Sequence, residues 1–448
     1  MSKFPQPWRS TVSYWQATNR GPSSLYGHST PPPEAADILI IGAGMMGCAL
    51  SYFLTRPNSA GAGKRVVCLE AKDVASGASG RNGGHVGPKT YSLWHQLQQE
   101  YPLGAGLSPE EATWVIQNER DNLDLVESLV KTEGLDVDFW RGELLETHHD
   151  LERTRWAKEQ YGKWLAQRRR MGLEGDETRF VDHAGEAERL SRFRGVTSVH
   201  IRPGGSVHPH KLATALMRLA LDSPHVNFSL HPWTPVSGHP LRVGDNWVLR
   251  TSTGSIRAKR VVLCTNAHTR HFFPPSSPLN GHAITPTTPF SGDGALGNTY
   301  NTLDGHYLVR AGSGGLVLGG GTAPLVRSGK VPMSKVHGNE DDSEASIDPA
   351  ITRDHAIFMR NFIGWGPEAY GEGLFAGHGM ARIFAVARGY ADTLKTGVWD
   401  EVLLPKSFKI TEERLERAEE AHARWVRERG PACKVVEGQI VDGAKAKL

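Results

Sequence analysis

The stretch Asp37-Ile38-Leu39-Ile40-Ile41-Gly42-Ala43-Gly44-Met45-Met46-Gly47 decides the fold. Its apolar run has strand length and no polar alternation, which fits a strand buried on both faces in a parallel sheet. The glycines follow at once, and Cys48 to Thr55 supplies the apolar residues of a short buried helix. A second run, Val66-Val67-Cys68-Leu69, ends in Glu70, completing a βαβ unit. Each part has a physical job. Gly42 permits a tight turn, Gly44 lets backbone approach a pyrophosphate, and Gly47 lets the helix pack close to the strand. The helix N-terminus faces the phosphates, and the Glu70 carboxylate accepts hydrogen bonds from ribose hydroxyls. A carboxylate at that point disfavours a 2′-phosphate and so disfavours NADP. NAD and FAD both fit.

The next segment separates those two. Ala75-Ser76-Gly77-Ala78-Ser79-Gly80-Arg81-Asn82-Gly83-Gly84-His85 is a second Gly/Ser-rich loop. It offers many backbone N–H donors, and its glycines let it lie against a flat ring or a phosphate. A nicotinamide dehydrogenase has no need of it.

The remaining composition sets limits. The chain has 448 residues, 39% hydrophobic and 22% charged, ample for a core and for two or three domains. Its 51 Lys and Arg against 48 Asp and Glu give a net charge of +3, without the basic excess of a nucleic-acid binder. No apolar run reaches the roughly 18 residues that span a membrane. The four cysteines, Cys48, Cys68, Cys264 and Cys433, lack the spacing of a disulfide framework or a thiolate metal site. His148-His149-Asp150 and His208-Pro209-His210 lack helical i, i+4 ligand geometry, and no HExxH, GxSxG or Walker A pattern occurs. No metal site is expected. Asn227-Phe228-Ser229 is a formal glycosylation sequon without a secretion signal to support its use.

Along the chain, residues 1–35 read as irregular, stiffened by Pro31, Pro32 and Pro33. Ser108, Pro109 and Glu111 form a capping-box signature opening a helix to about residue 132. Residues 151–171 are helical, and the triplet Arg168-Arg169-Arg170 reads as a solvated face. Another helix covers His210 to Leu221. Strands are expected near 226–236 and 247–251, at Arg260 to Cys264, and in a hairpin of Tyr307–Arg310 with Leu316–Leu318.

Taken together these stretches resemble the D-amino-acid oxidase-like FAD-dependent oxidoreductases, which include glycine, sarcosine and γ-glutamylputrescine oxidases. The resemblance covers roughly residues 35–400. It rests on the turn at Gly42, on Leu69-Glu70, on Gly77 to His85 and on Val261-Val262-Leu263-Cys264-Thr265-Asn266-Ala267. Gly204 to Pro209, Tyr307-Leu308-Val309-Arg310 with Leu318-Gly319-Gly320, and Gly377-His378-Gly379-Met380 complete it. It implies an α/β fold with a Rossmann-type FAD-binding domain (36–100, 185–270 and 360–448). An interleaved α+β substrate domain (101–184 and 271–359) would be built on an antiparallel sheet.

By the same resemblance, Gly42, Ala43, Gly44, Met46, Gly47 and Glu70 hold the ADP half of FAD. Ser79, Gly80, Arg81, Asn82, Gly83 and Gly84 contact pyrophosphate, ribityl and ring. Val236 binds near the adenine through its backbone, and Thr265 and Asn266 cross near the pyrophosphate. Gly377, His378, Gly379 and Met380 face the pyrimidine edge of the flavin, where a following helix N-terminus would stabilise negative charge. One departure stands out. Trp365-Gly366-Pro367-Glu368 runs almost directly into Gly373-Leu374-Phe375-Ala376-Gly377, where such proteins normally carry tens of residues beside the flavin.

The implied reaction is oxidation of the C–N bond of an amine or amino acid. The α-hydrogen leaves as hydride to flavin, and molecular oxygen accepts the electrons to give hydrogen peroxide. His85, His378 and Arg310 are the catalytic candidates, with Arg81 and Arg382 as further cations. The alternatives are a flavin dehydrogenase with another acceptor and a non-catalytic flavin-fold protein, the latter because of the short stretch after Glu368. The chain ends Ala446-Lys447-Leu448, a variant of the Ser-Lys-Leu address, so a peroxisomal import receptor is an expected partner and the peroxisome the expected site, with the cytoplasm as alternative.

Overall fold

The computed structural model describes residues 11–27, 30–100, 103–173, 177–272, 284–287, 298–302, 305–312, 316–332, 348–359, 361–362, 383–401, 404–409, 433–436 and 439–442, with single positions between 413 and 427. Two sheets organise it. The first contains β1 (Ala35–Ile41), β2 (Arg65–Leu69), β7 (Asn227–His231), β8 (Val236–Val243), β9 (Asn246–Thr251) and β10 (Gly254–Leu263), in the order β7-β2-β1-β10-β9-β8. The pairs β7-β2, β2-β1 and β1-β10 are parallel, with Ile40 opposite Cys68 on one side and Val262 on the other. From β10 to β8 the pairing is antiparallel.

The unbroken apolar run of β1 is explained by what covers it. On one face Ile38 and Ile40 join Leu50 and Leu54 of helix α2 (Met45–Leu54) and Leu212 and Leu216 of α7 (Pro209–Leu221), with Phe384 of α10 (Ile383–Thr396). On the other, Leu39 and Ile41 pack with Val67, Leu69, Leu249 and Ile256. Each fully buried aliphatic side chain contributes roughly 1.5–3 kcal/mol.

The second sheet runs β11-β14-β13-β12-β4-β6-β3, with β5 also on β6. Its strands are β3 (His85–Val86), β4 (Trp140–His148), β5 (Arg179–Val181), β6 (Ser198–Ser206), β11 (Ile284–Thr287), β12 (Thr299–Thr302), β13 (Tyr307–Arg310) and β14 (Leu316–Gly319). The β13–β14 hairpin forms as expected. Two expectations are corrected. The sheet is mixed rather than antiparallel, because β12 lies parallel to β4. And β6 and β3, placed by sequence with the dinucleotide half, belong here: β6 pairs along its length with β4, from Trp140 opposite Ser206 to His148 opposite Ser198. The alternation in β6 explains this. Val199 and Ile201 enter a core with Tyr300, Leu308 and Phe362, while the polar His200 and Arg202 point to the opposite face.

Helix α4 (Pro109–Thr132) begins with the expected capping box. The Glu111 N–H donates to Ser108 Oγ (3.2 Å) and the Ser108 N–H to Glu111 Oε2 (3.0 Å). Its buried Asn122 accepts the N–H groups of Phe384 and Ala385 at 2.9 and 3.0 Å, satisfying the start of α10. In α5 (Leu151–Arg170) the arginine triplet departs from expectation. Arg169 and Arg170 are exposed, but Arg168 is buried, stacked over Trp164 and donating to Gln117 Oε1 at 3.0 Å.

Candidate active site

The turn after β1 is built as the glycine spacing demands. Gly42 has φ +103°, and a Cβ there would stand 2.6 Å from the Cys264 carbonyl oxygen. A Cβ on Gly47 would stand 1.8 Å from the Gly42 oxygen, so only glycine lets α2 start this close to β1. Gly44 is the N-cap and provides no capping side chain. Ser79 Oγ accepts from the Met45 N–H at 2.7 Å, which ties the second glycine loop to the start of the helix. Glu70 closes the other side. Its Oε2 accepts the Ala43 N–H (2.7 Å) and its Oε1 the Lys72 N–H (2.9 Å). Burial raises the Glu70 pKa, against the lowering effect of these amides. Val236 begins β8 just beyond Thr234, whose N–H donates to the Glu70 carbonyl at 2.8 Å. Thr265 and Asn266 leave β10 next to Gly42, with Asn266 at φ +46° and Thr265 Oγ1 sharing a 2.8 Å bond with Thr269 Oγ1.

The second loop is organised by its own polar residues. Asn82 donates to the carbonyls of Ala78 and Ser79 (3.2 and 2.8 Å), and its Oδ1 accepts the Gly84 N–H at 2.7 Å. Gly84 has φ +67°, with the Val207 carbonyl 2.2 Å from where a Cβ would be. The Arg81 side chain is buried and turned inward, donating to Ser76 O (3.0 Å), Thr11 Oγ1 (2.7 Å) and Thr11 O. Arg81 thus fixes the loop through its side chain.

Its partner segment was read as irregular and is not. Residues 13–17 form a helical turn, α1 (Tyr14–Ala17), with a Ser13–Gln16 capping box. Ser13 Oγ accompanies it with a short bond to the Gly80 carbonyl, and Trp15 Nε1 donates to Asn82 O at 2.6 Å. Trp15 also packs with Val309, Ala311 and Val317 of the second sheet. A strap therefore joins the flavin-type loop to the β13–β14 hairpin. It is anchored beyond by Thr18 on His208 Nε2 (3.0 Å) and Asn19 on His210 Nδ1 (2.9 Å). The Lys211 N–H donates to His208 Nδ1, so Nε2 carries the His208 proton. The Ser-x-x-Gln spacing was the one sequence signal for this turn.

On the substrate side the structure brings His85 and Arg310 into one neighbourhood. His85, Ser206 and Trp140 are cross-strand partners in β3, β6 and β4, so their side chains share a face. Ser206 Oγ makes a short bond to the Arg310 carbonyl, and the Arg310 guanidinium lies over the Trp140 ring, 5.2 Å from its centroid. The Trp140 ring lies across Gly142, where a Cβ would be 2.2 Å away, and the His85 ring lies over Gly87 in the same manner. Gly142 is itself paired with Gly204, whose missing side chain leaves room for Leu144 and Thr299. Thr299 Oγ1 is 3.5 Å from His85 Nε2. Trp140, Ser206 and Thr299 were not evident from sequence because strand pairing alone brings them here. Gly377, His378, Gly379, Met380 and Arg382, the stretch Trp365–Glu368, and Ala446, Lys447 and Leu448 lie outside the described residues.

A cavity of about 840 Å³ opens at Ala35, Arg65 and Asn227. That is the amino end of the parallel strands, whereas nucleotides bind at the carboxyl end. It has no part in this site.

These features define a flavin-dependent oxidoreductase of the two-sheet type. A family model described as FAD dependent oxidoreductase matches residues 37–387, and the chain belongs to that family. Two solved structures share the fold. L-proline dehydrogenase from P. horikoshii gives a TM-score of 0.62 at 17% identity, covering 86% of this chain and 99% of that one. Glycine oxidase from Geobacillus kaustophilus gives 0.57 at 19% identity, covering 85% and 99%. The FAD-dependent oxidoreductase domain-containing protein 1 of Mus musculus is 35% identical over 73 residues, 16% of this chain and only 14% of that protein's length. The family's cofactor is FAD, and the residues fit it. Gly44 presents bare backbone at the N-terminus of α2, Gly42 and Gly47 hold the tight turn that places it there, and the Glu70 carboxylate lies beside that turn where a ribose would sit.

Proposed function

We propose that this oxidoreductase acts on the carbon–nitrogen bond of an amine or amino acid and uses molecular oxygen as its acceptor. The observation that supports the reading most is the group His85, Trp140, Ser206 and Arg310, gathered on one face of the sheet next to the dinucleotide loop. Bound FAD supplies a two-electron acceptor for the hydride leaving the carbon next to nitrogen.

The chain's own residues do the positioning. The Arg310 guanidinium, held over the Trp140 ring, presents a fork suited to a carboxylate. The His85 ring, fixed over Gly87, faces the same space and receives or holds the proton of the substrate ammonium. Trp140 and the strap residue Trp15 shed water from the reacting region.

The test is anaerobic mixing of the FAD-loaded protein with a panel of primary amines, secondary amines and amino acids, followed by admission of air. Bleaching of the flavin, then recovery with stoichiometric peroxide, is expected. In the Arg310→Met variant, KM should rise at least tenfold for a carboxylate-bearing substrate and little for a plain amine. No bleaching across the panel removes the C–N reading. Bleaching that air reverses without peroxide removes oxygen as the acceptor.

A further inference from the structure

Arg202 lies four residues before Ser206 in β6, on the face of the second sheet that carries His85. Its side chain is 1% exposed, and that of its partner Glu146 in β4 is 3% exposed. The guanidinium is bound on several edges. Nη1 donates to Glu146 Oε2 at 2.8 Å, and Nε donates to the Pro88 carbonyl at 2.9 Å. With its amide turned to donate to the Tyr300 carbonyl, Asn301 accepts from Nη2 at 3.2 Å. A lysine could neutralise Glu146, but its ammonium has no rigid fork that serves acceptors in fixed directions.

The bond to Pro88 matters because of what precedes it. Pro88 follows Gly87, where a Cβ would stand 2.3 Å from His85 Nε2 and 2.8 Å from Leu144 Cδ1. The His85 ring therefore rests on the Gly87 backbone, and a shift of that backbone moves the ring's seat. The peptide group joining Pro88 to Lys89 is held at both ends. Arg202 holds its carbonyl, and Glu119 Oε2 accepts its N–H at 2.7 Å. Both of these charged residues are buried. A buried ion pair adds little net stability, because lost hydration offsets the attraction, and fixing one geometry is its better-attested use.

We propose that Arg202 is a positioning residue. Anchored by Glu146, it holds the peptide group after Pro88 and so keeps the His85 ring seated over Gly87 in the orientation the reaction needs. The inference rests on the role given to His85 above.

The test uses the FAD-loaded protein carrying Arg202→Lys, which keeps a cation beside Glu146 and gives up the fork. Tm and FAD affinity should stay close to the parent. Flavin reduction should slow about tenfold, with KM changed by less than about threefold. In a His85→Gln background the same substitution should slow reduction by less than about twofold, because the ring it positions is gone. An equal loss in both backgrounds is what a purely structural residue gives, and it overturns the proposal. A second measurement needs no turnover. The NMR signal of the His85 ring, identified by its loss in His85→Gln, should shift in Arg202→Lys. It should stay fixed in Arg179→Lys, whose exposed pair with Glu143 is the control. If nothing in the panel bleaches the flavin, the C–N reading falls and the ring signal alone decides: a shift upholds the positioning, and no shift overturns it. Should Arg202→Lys fail to fold, Glu146→Leu combined with Arg202→Met leaves neither charge of the pair unmatched and carries both measurements.

Discussion

At Gly44 and Gly47 one added methyl group does two different things. At Gly44 its nearest neighbour is Ser79 Oγ at 3.0 Å, the end of a small side chain that can turn away. At Gly47 it is backbone, the Gly42 oxygen at 1.8 Å. Gly44→Ala should therefore fold, with Tm within a few degrees of the parent, and bind FAD at least tenfold more weakly, because the methyl occupies the approach of the pyrophosphate. Gly47→Ala should separate α2 from β1 and lose the soluble folded protein. Thermal melts and FAD fluorescence titration of the apoprotein check both. Equal loss of folding in the two would mean that Gly44 is required by packing rather than by the cofactor. The roles of Gly42 and Gly47 in the turn were legible in the sequence because their contacts are set by the local βαβ unit. Arg81 was not. Its side chain reaches Thr11, seventy residues back along the chain, and no spacing rule reports such a partner.

At the scale of elements the strap is the clearest case. Trp15 gives its N–H to the Asn82 carbonyl and its ring to the β13–β14 hairpin, so one side chain joins loop and sheet. Trp15→Ala should cost about 3–5 kcal/mol in stability and loosen the loop. The expected outcome is a lower Tm, a weaker FAD complex and new proteolytic cleavage between Ala78 and Gly84. Unchanged proteolysis and FAD affinity would reduce the strap to a surface ornament. Helix α4 was legible from its capping residues, α7 from its amphipathic pattern, and β1 from its run of apolar residues. The assignment of β6 was not. Its alternating pattern shows a strand covered differently on its two faces, but not which of two sheets receives it.

Over the whole molecule, buried histidines set the response to acid. Burial holds His148, His210 and His355 down to about 4 and His200 and His208 to about 3. In the unfolded chain they titrate near 6.5, so the unfolded state takes up protons first and stability falls as pH drops from about 6.5 toward the folded values. Glu146 adds to this from the other side. Burial opposes its charge, but Arg202, His200, His148 and Lys89 outweigh burial and hold its pKa well below the usual carboxylate range. Its contribution is complete above about 4.3 and is lost as pH falls further. Tm should be flat between about pH 7 and pH 8 and decline steeply from about 6.5 downward. His208→Asn, which keeps an N-cap acceptor for α7, should flatten the slope by up to about 1.4 kcal/mol per pH unit. A slope unchanged by that substitution would place the titration elsewhere.

The position of the strap also bears on the order in which the protein can be completed. Trp15 leaves the ribosome long before the hairpin it packs against, which lies near residues 307–319. At typical elongation rates those strands emerge about 15–60 s later. Throughout that interval the glycine loop exists without its cover, and the nascent chain remains open to the flavin. Docking of the hairpin then closes the strap over the loop, with flavin inside only where the nascent chain has taken it up. Cofactor supply during synthesis, rather than afterwards, would govern how much of this protein matures.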